Sequence, residues 1–146
     1  MTSKDLRHLF LKIASLFIVF GSSGCHIVKK VEYPVGIYSV GGSTNLQDVA
    51  DAGFNLVTGP ADKDYLDAAE RNGLKVLASP GSSAGESFND ARARSRIALF
   101  DRHPALWSWY LIDEPDMMRV SPDRVEEAHS ALKHAGATKP TSLVLY

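Results

Sequence analysis

The residues with the clearest capacity for chemistry lie in one run, Trp107-Ser108-Trp109-Tyr110-Leu111-Ile112-Asp113-Glu114-Pro115. A β-rich stretch closes there on two adjacent carboxylates followed by proline. Carboxyl groups donate and accept protons in general acid and base catalysis, and two held together can divide those roles. Proline disfavours the helical region for the residue before it, so the run predicts an extended Glu114 at a strand tip with its carboxyl group presented. Trp107, Trp109 and Tyr110 make an apolar, aromatic surrounding, which raises the pKa of a nearby glutamate as a proton donor requires. Plainer readings stand beside these. Asp113 and Glu114 can cap the following loop and Asp116 the next helix, because acids favour helix starts. The three rings can equally be core fillers.

A strand end serves catalysis only when other elements hold it, and from Pro34 onward short β-rich runs alternate with helical patterns. Val35 to Val40 reads as a first strand, followed by the turn Gly41-Gly42-Ser43-Thr44 and a short helix with Leu46, Val49 and Ala50 on one face. Phe54 to Thr58 is a second strand. Asp62 and Asp64 stand in the first turn of the next helix, whose buried stripe is Tyr65, Leu66 and Ala69, and Asn72-Gly73 ends it. Leu74 to Ser79 gives a third strand, with a breaker-rich loop from Pro80 to Gly85 after it. Phe88 to Phe100 is helical, with Ala93, Ile97 and Phe100 on one side and Arg92, Arg94 and Arg96 able to reach solvent. Trp107 to Ile112 is the fourth strand, and Ser121-Pro122 opens a helix whose buried face is Val125, Ala128, Leu132 and Ala135. Thr141 to Tyr146 is the fifth. His129 and His134 on that last helix read as solvent-exposed.

Near-continuous apolar strands joined by helices imply a parallel sheet with right-handed crossovers and both faces covered. Two α/β architectures fit: a doubly wound open sheet, or the beginning of an eight-stranded β/α barrel. Gly36-Ile37-Tyr38-Ser39-Val40-Gly41-Gly42 lacks the Gly-x-Gly-x-x-Gly spacing, and no Gly-x-x-x-x-Gly-Lys-Ser/Thr occurs, so nucleotide binding is disfavoured. At the carboxyl ends of barrel strands, by contrast, adjacent carboxylates fall where barrel enzymes do their chemistry.

The run from Trp107 to Pro115, with the βα pattern around it from Pro34 to Tyr146, resembles the barrel glycoside hydrolases whose fourth strand ends in Asn-Glu-Pro or Asp-Glu-Pro. That resemblance implies hydrolysis of O-glycosidic bonds in an oligo- or polysaccharide, with Glu114 as acid/base. Asp113 falls where many members place an asparagine that contacts the hydroxyl beside the reacting carbon, which implies a substrate contact. Tyr38 and Asn55 are secondary candidates for substrate binding. Glycoside hydrolysis also needs a second carboxylate as nucleophile or base. In the resembled clan it stands at the end of strand seven, and strands six to eight have no counterpart here. The expectation is therefore an incomplete (β/α)8 TIM barrel of five strands and four helices, truncated after strand five and inactive alone. A second chain completing the barrel in trans is one partner this implies. A noncatalytic carbohydrate-binding or structural envelope lipoprotein is the competing function, and a small complete α/β domain with another ligand is a third.

The remaining composition narrows the field. With 45% hydrophobic and 23% charged residues among 146, the chain has enough apolar material for one globular core. Its net charge of −1 leaves no broad basic surface for nucleic acid. Cys25, the only cysteine, has no internal disulfide partner, and the five histidines form no zinc-type spacing, so no metal or cofactor is expected. Lys4, Arg7 and Lys12 precede the apolar run Ile13 to Phe20, then Gly21-Ser22-Ser23-Gly24-Cys25. A spanning helix needs roughly 20 apolar residues, so this shorter run reads as an export signal over residues 1–24. The segment resembles bacterial lipoprotein signals, which implies lipidation of Cys25 and a membrane anchor; ordinary cleavage and no cleavage are the alternatives. Residues 25–33 would then be a tether, and the location the outer membrane or periplasm.

Overall fold

Caps, glycines and apolar alternation set the element boundaries, as the second helix illustrates. Asp62, in extended conformation, accepts a hydrogen bond from the Tyr65 N–H at 2.9 Å, satisfying a donor that the first helical turn leaves open. Tyr65, Leu66, Ala68 and Ala69 are buried along one side. Asn72 closes the helix and Gly73 follows at φ 69°, a left-handed conformation that a Cβ disfavours. The Tyr65 ring then lies over Gly59 in the preceding strand, where an added Cβ would meet ring atoms at 2.3 to 2.6 Å. Helix and strand approach this closely because that position carries no side chain.

The computed structural model describes residues 33–38, 42–84 and 89–145, which belong to one compact unit, Tyr33–Tyr146. The expected export segment, Cys25 and most of the tether lie outside the described residues. Among those described are five strands and four α-helices. In chain order they are β1 (Gly36–Ile37), α1 (Leu46–Asp51, entered by a 3-10 turn at Ser43–Asn45), β2 (Leu56–Pro60), α2 (Lys63–Arg71) and β3 (Lys75–Ser79). Then come α3 (Asp90–Phe100), β4 (Leu106–Asp113), α4 (Pro122–His134) and β5 (Thr141–Val144). Element types follow the sequence pattern, with ends displaced by a residue or two except in β1, which ends at Ile37, three residues before the expected Val40. α3 begins at Asp90 because Asn89 is its cap, accepting from the Arg92 N–H at 3.0 Å.

Every strand pair is parallel and the spatial order β1-β2-β3-β4-β5 is the chain order. A doubly wound sheet reverses its order part-way. Without a reversal, crossovers of one hand leave all helices on one side of the sheet, so the expectation of two covered faces is corrected. Val57, Val76, Ala78, Leu106 and Trp109 are buried with Leu66, Ala69, Ala93, Ile97, Ala128 and Leu132 in one core. Leu56, Thr58, Leu77 and Tyr110, which alternate with the core residues on their strands, are only half-buried.

The sheet curls into a half-barrel. In a flat sheet, three strand spacings of about 4.8 Å would separate β1 from β4. The rings of Tyr38, just past β1, and Tyr110 on β4 are nevertheless 6.2 Å apart. Gly36, Ile37 and Tyr38 at one edge and Val144 at the other line the same apolar cavity of about 150 Å³.

At the other end of β4, Asp101 joins three elements. It is 5% exposed and accepts from Trp109 Nε1 at 2.9 Å, the Lys139 N–H at 3.3 Å, the Thr138 N–H at 2.9 Å and the Thr138 hydroxyl at 2.5 Å. Burial pushes its carboxyl group up, but the bonds from Thr138, Trp109 and Lys139 outweigh that and hold it below the usual carboxylate value.

Candidate functional site

Two irregularities in β4 decide which of its side chains share a face. Against β3, Val76 pairs with Leu106 and Leu77 with Ser108, so Trp107 is an extra residue, and its ring is 42% exposed. Against β5, Tyr110 pairs with Ser142 and Ile112 with Leu143, so Leu111 is extra. In a regular strand, residues three apart lie on opposite faces. One inserted residue reverses that parity, which brings Tyr110 and Asp113 to the same face. There the Tyr110 phenol donates to Asp113 Oδ1 at 2.8 Å. The partners of Tyr110 and Asp113 on β5 are Ser142 and Val144, two residues apart and so on one face as well.

Tyr38 joins this pair from β1, its ring edge-on to Tyr110 with an interplanar angle of 68°. Burial pushes the Tyr110 phenol far above the usual tyrosine value, and hydrogen bonding with Tyr38 and Asp113 adds to the rise. The Tyr38 phenol is lowered by its hydrogen bond with Tyr110. It is raised by burial, by hydrogen bonding to Asp113 and by the charges of Asp113 and Glu114, with a net upward shift.

Glu114 departs from the sequence expectation. Its φ is 42°, in the left-handed region, so the extended conformation inferred from Pro115 is corrected. Proline disfavours the right-handed helical region for its predecessor, and the surrounding hydrogen bonds hold Glu114 left-handed instead of extended. The Glu114 N–H donates to the Val144 carbonyl at 3.0 Å, and its own carbonyl accepts from the Met118 N–H at 3.1 Å. Glu114 thus stands as the cap residue of a single helical turn with Pro115 at the first helical position, where a missing N–H costs little. The turn closes with the Val120 N–H on the Pro115 carbonyl at 2.8 Å and the Arg119 N–H on the Asp116 carbonyl at 3.3 Å, with Arg119 at φ 54°. This is the Schellman pattern, with Arg119 where glycine is usual. Left-handed backbone costs a non-glycine residue on the order of 1–2 kcal/mol, and such strain concentrates at functional sites. The capping reading is therefore right for the Glu114 backbone. Its half-buried carboxylate has no hydrogen bond or ion pair with the described residues.

The other candidates divide. Tyr38, Asp113 and Glu114 are brought together at the ends of β1 and β4, whereas Asn55 is not. It precedes β2, at the opposite end of the sheet, where its Oδ1 accepts from the Val35 N–H at 2.8 Å and its Nδ2 donates to the Tyr33 carbonyl at 2.9 Å. Both amide groups are spent tying down the segment before β1. Trp109 is core, fully buried. His129, expected in solvent, is half-buried with Nδ1 2.8 Å from Thr141 Oγ1, while His134 is exposed. Of the arginines on α3, Arg92 donates to the Gly81 carbonyl and Arg96 to the Ala61 carbonyl, so they brace loops as well as facing water. Tyr110, which the sequence offers as part of an aromatic surrounding or as core filler, instead holds Asp113 through its hydroxyl. Its signal, Tyr-x-x-Asp at a strand end, becomes informative only when an intervening bulge is recognised.

One grouping of metal-type donors occurs among the described residues: Asp67, Glu70 and His103, with ligand atoms within 4.8 Å of one another. His103 Nδ1 accepts from the Ala105 N–H at 3.2 Å, which places the ring proton on Nε2, 3.1 Å from Asp67 Oδ1. A metal at Nε2 would need that nitrogen's lone pair, and ligating histidines normally donate, not accept, through the other nitrogen. The donor set fits a hydrogen-bonded brace between α2 and the loop before β4.

No protein-family model, curated protein or solved structure matches the chain. Chemically, the end of β4 offers one carboxylate on a left-handed backbone, unpartnered among the described residues, beside a second that a phenol holds in place.

Proposed function

We propose that this chain carries the acid/base corner of a (β/α)8-barrel glycoside hydrolase, with Glu114 as proton donor to the leaving oxygen and Asp113 as a substrate contact. The observation that supports this most is the asymmetry of the adjacent carboxylates: Asp113 accepts from Tyr110 at 2.8 Å, whereas Glu114 is unpartnered among the described residues on a left-handed backbone. Two carboxylates in unlike surroundings are the arrangement that separates acid from anion. The curled, singly wound parallel sheet supports the barrel reading, because only continuing the same order can close it. An export signal on residues 1–24 and a lipid at Cys25 would place this corner in the cell envelope.

Apart from Asp113 at the end of β4, no described strand ends in a carboxylate: β1 ends at Ile37, β2 at Pro60, β3 at Ser79 and β5 at Val144. We infer that the second catalytic carboxylate comes from outside the described residues, and this favours a second reading, carbohydrate binding without hydrolysis. Formate, supplied as an external carboxylate, separates the two. Under the hydrolase reading the full chain cleaves aryl glycosides only with formate present, and Glu114→Gln abolishes cleavage of those with poor leaving groups while sparing the activated 4-nitrophenyl glycosides. Saccharide binding with no formate-dependent cleavage would leave the binding reading in its place.

A further inference from the structure

The bulge at Leu111 brings Tyr110 and Asp113 into contact although they are three residues apart on one strand. Register alone would have separated them. The contact is also selective: Tyr110 takes Oδ1 of Asp113 and not Oδ2. Tyr38 stands beside them, 53% exposed, its ring edge-on to Tyr110 with centroids 6.2 Å apart. An exposed phenol beside a fixed carboxylate is a pair that two neighbouring hydroxyls of a sugar ring can engage, one on each.

We propose that Tyr110 is a positioning residue: it fixes the Asp113 carboxylate so that Asp113 and Tyr38 together receive two adjacent hydroxyls of a polyol ring. This rests on reading the mouth as a saccharide site and adds to it the residue that sets the site's geometry. Tyr110 itself is half-buried and acts through Asp113. A carboxylate on a single-bonded side chain otherwise rotates about its χ angles, and immobilising it before the ligand arrives removes that ordering cost from binding. The mouth should then bind neutral polyhydroxylated rings and discriminate against analogues lacking one of the two hydroxyls, because a fixed acceptor left without its donor cannot turn away to water.

The test uses the full chain and a panel of methyl hexopyranosides (gluco, galacto and manno) with their monodeoxy analogues, titrated by ligand-observed NMR. Tyr110→Phe keeps the ring and its edge contact with Tyr38 and removes only the hydroxyl. The wild type is expected to bind at least one glycoside in the millimolar range, and Tyr110→Phe to weaken it about tenfold, the loss of one charge-assisted hydrogen bond's worth of preorganisation. Tyr110→Phe should add nothing further on top of Asp113→Asn, since the phenol works only through that carboxylate. The monodeoxy analogue lacking the contacted hydroxyl should bind wild type and Tyr110→Phe equally.

A merely structural tyrosine would weaken every analogue alike and would add to Asp113→Asn; that pattern overturns the proposal. So does the absence of binding of every glycoside by the wild type. Thermal melts of each variant report folding separately, and the deoxy-analogue comparison stands even where Asp113→Asn is unstable. Hydrolysis distinguishes the underlying reading from this one. Formate-dependent cleavage that requires Glu114 but ignores Tyr110→Phe overturns the positioning role alone. Coupled binding of glycosides without cleavage removes the hydrolase reading and leaves the positioning role intact.

Discussion

Replacing Asp101 with asparagine should destabilise the fold by several kilocalories per mole, and the structure shows why so small a change is severe. Asp101 Oδ1 faces the Trp109 indole N–H and the Lys139 N–H, while Oδ2 faces the N–H and the hydroxyl of Thr138. Asparagine puts an N–H₂ group at one of those positions, and whichever way the amide is turned a fixed N–H then meets another N–H. Hydrogen bonds to a charged group contribute roughly 1.5–3 kcal/mol each, and a buried donor left unmatched costs roughly 1–3 kcal/mol. Losing one bond and opposing two donors gives a cost of about 2–4 kcal/mol at neutral pH, or roughly 10–20 °C in melting temperature for a domain of this size. The pH dependence supplies an independent check. The folded carboxyl value lies below the unfolded value of about 3.9. Its contribution is therefore complete above the unfolded value and is lost as pH falls through the folded one. Asparagine does not titrate, so the gap between wild type and variant should narrow in acid. Urea titrations at neutral pH and at several acidic values measure both quantities. A gap under about 1 kcal/mol at neutral pH, or one that widens in acid, would refute the reasoning behind both figures.

Three further outcomes follow from local geometry. Gly59→Ala drives a Cβ into the Tyr65 ring at 2.3 Å and should cost about 1–3 kcal/mol by denaturant unfolding, less in a Tyr65→Leu background, where the flat ring no longer covers the site. Arg119→Gly relieves a left-handed residue at the Schellman position and should stabilise by about 1 kcal/mol; a loss of stability would mean that the Arg119 side chain holds the turn. Glu114→Gly should also raise the melting temperature slightly, since it relieves φ 42°, while removing cleavage of substrates with poor leaving groups; a lower melting temperature would show that the carboxylate has a structural partner.

Much of the architecture is legible in the sequence because turn chemistry is local. Asp62 before the Tyr65-Leu66-Ala69 stripe, Asn72-Gly73 after it and Ser121-Pro122 before α4 each mark a boundary that neighbouring residues decide. Sheet order and curl are not local. Strand runs that suit a barrel also suit a doubly wound sheet, and only the pairing order separates them. Side-chain direction in β4 was hidden for a related reason: alternation makes Trp107 and Trp109 equivalent, but the pairing partners insert Trp107 and Leu111 as extra residues, so one tryptophan is core and the other surfaces. The same bulge makes Tyr110 and Asp113 neighbours. Asn55 misled because a polar residue at a strand end looks available for a ligand, and its engagement with Tyr33 and Val35 depends on where the chain enters β1. Glu114 stands out in the sequence by its type and by Pro115, while its left-handed backbone goes with bonds to Val144 across the sheet and to Met118 in the following turn.

Whether Glu114 donates the proton to a leaving glycosidic oxygen is decided by the leaving-group dependence of formate-supported cleavage. Aryl glycosides of graded leaving-group acidity would be assayed with the wild-type full chain and with Glu114→Gln. General acid catalysis contributes roughly 10²–10⁴-fold where the leaving group is poor and little where it is good. Wild-type cleavage should therefore depend only weakly on the leaving group, and the variant should fall behind by about that factor at the poor end while converging with wild type at the activated end. Equal loss across the whole series, or wild-type cleavage that Glu114→Gln leaves untouched, would contradict the assignment.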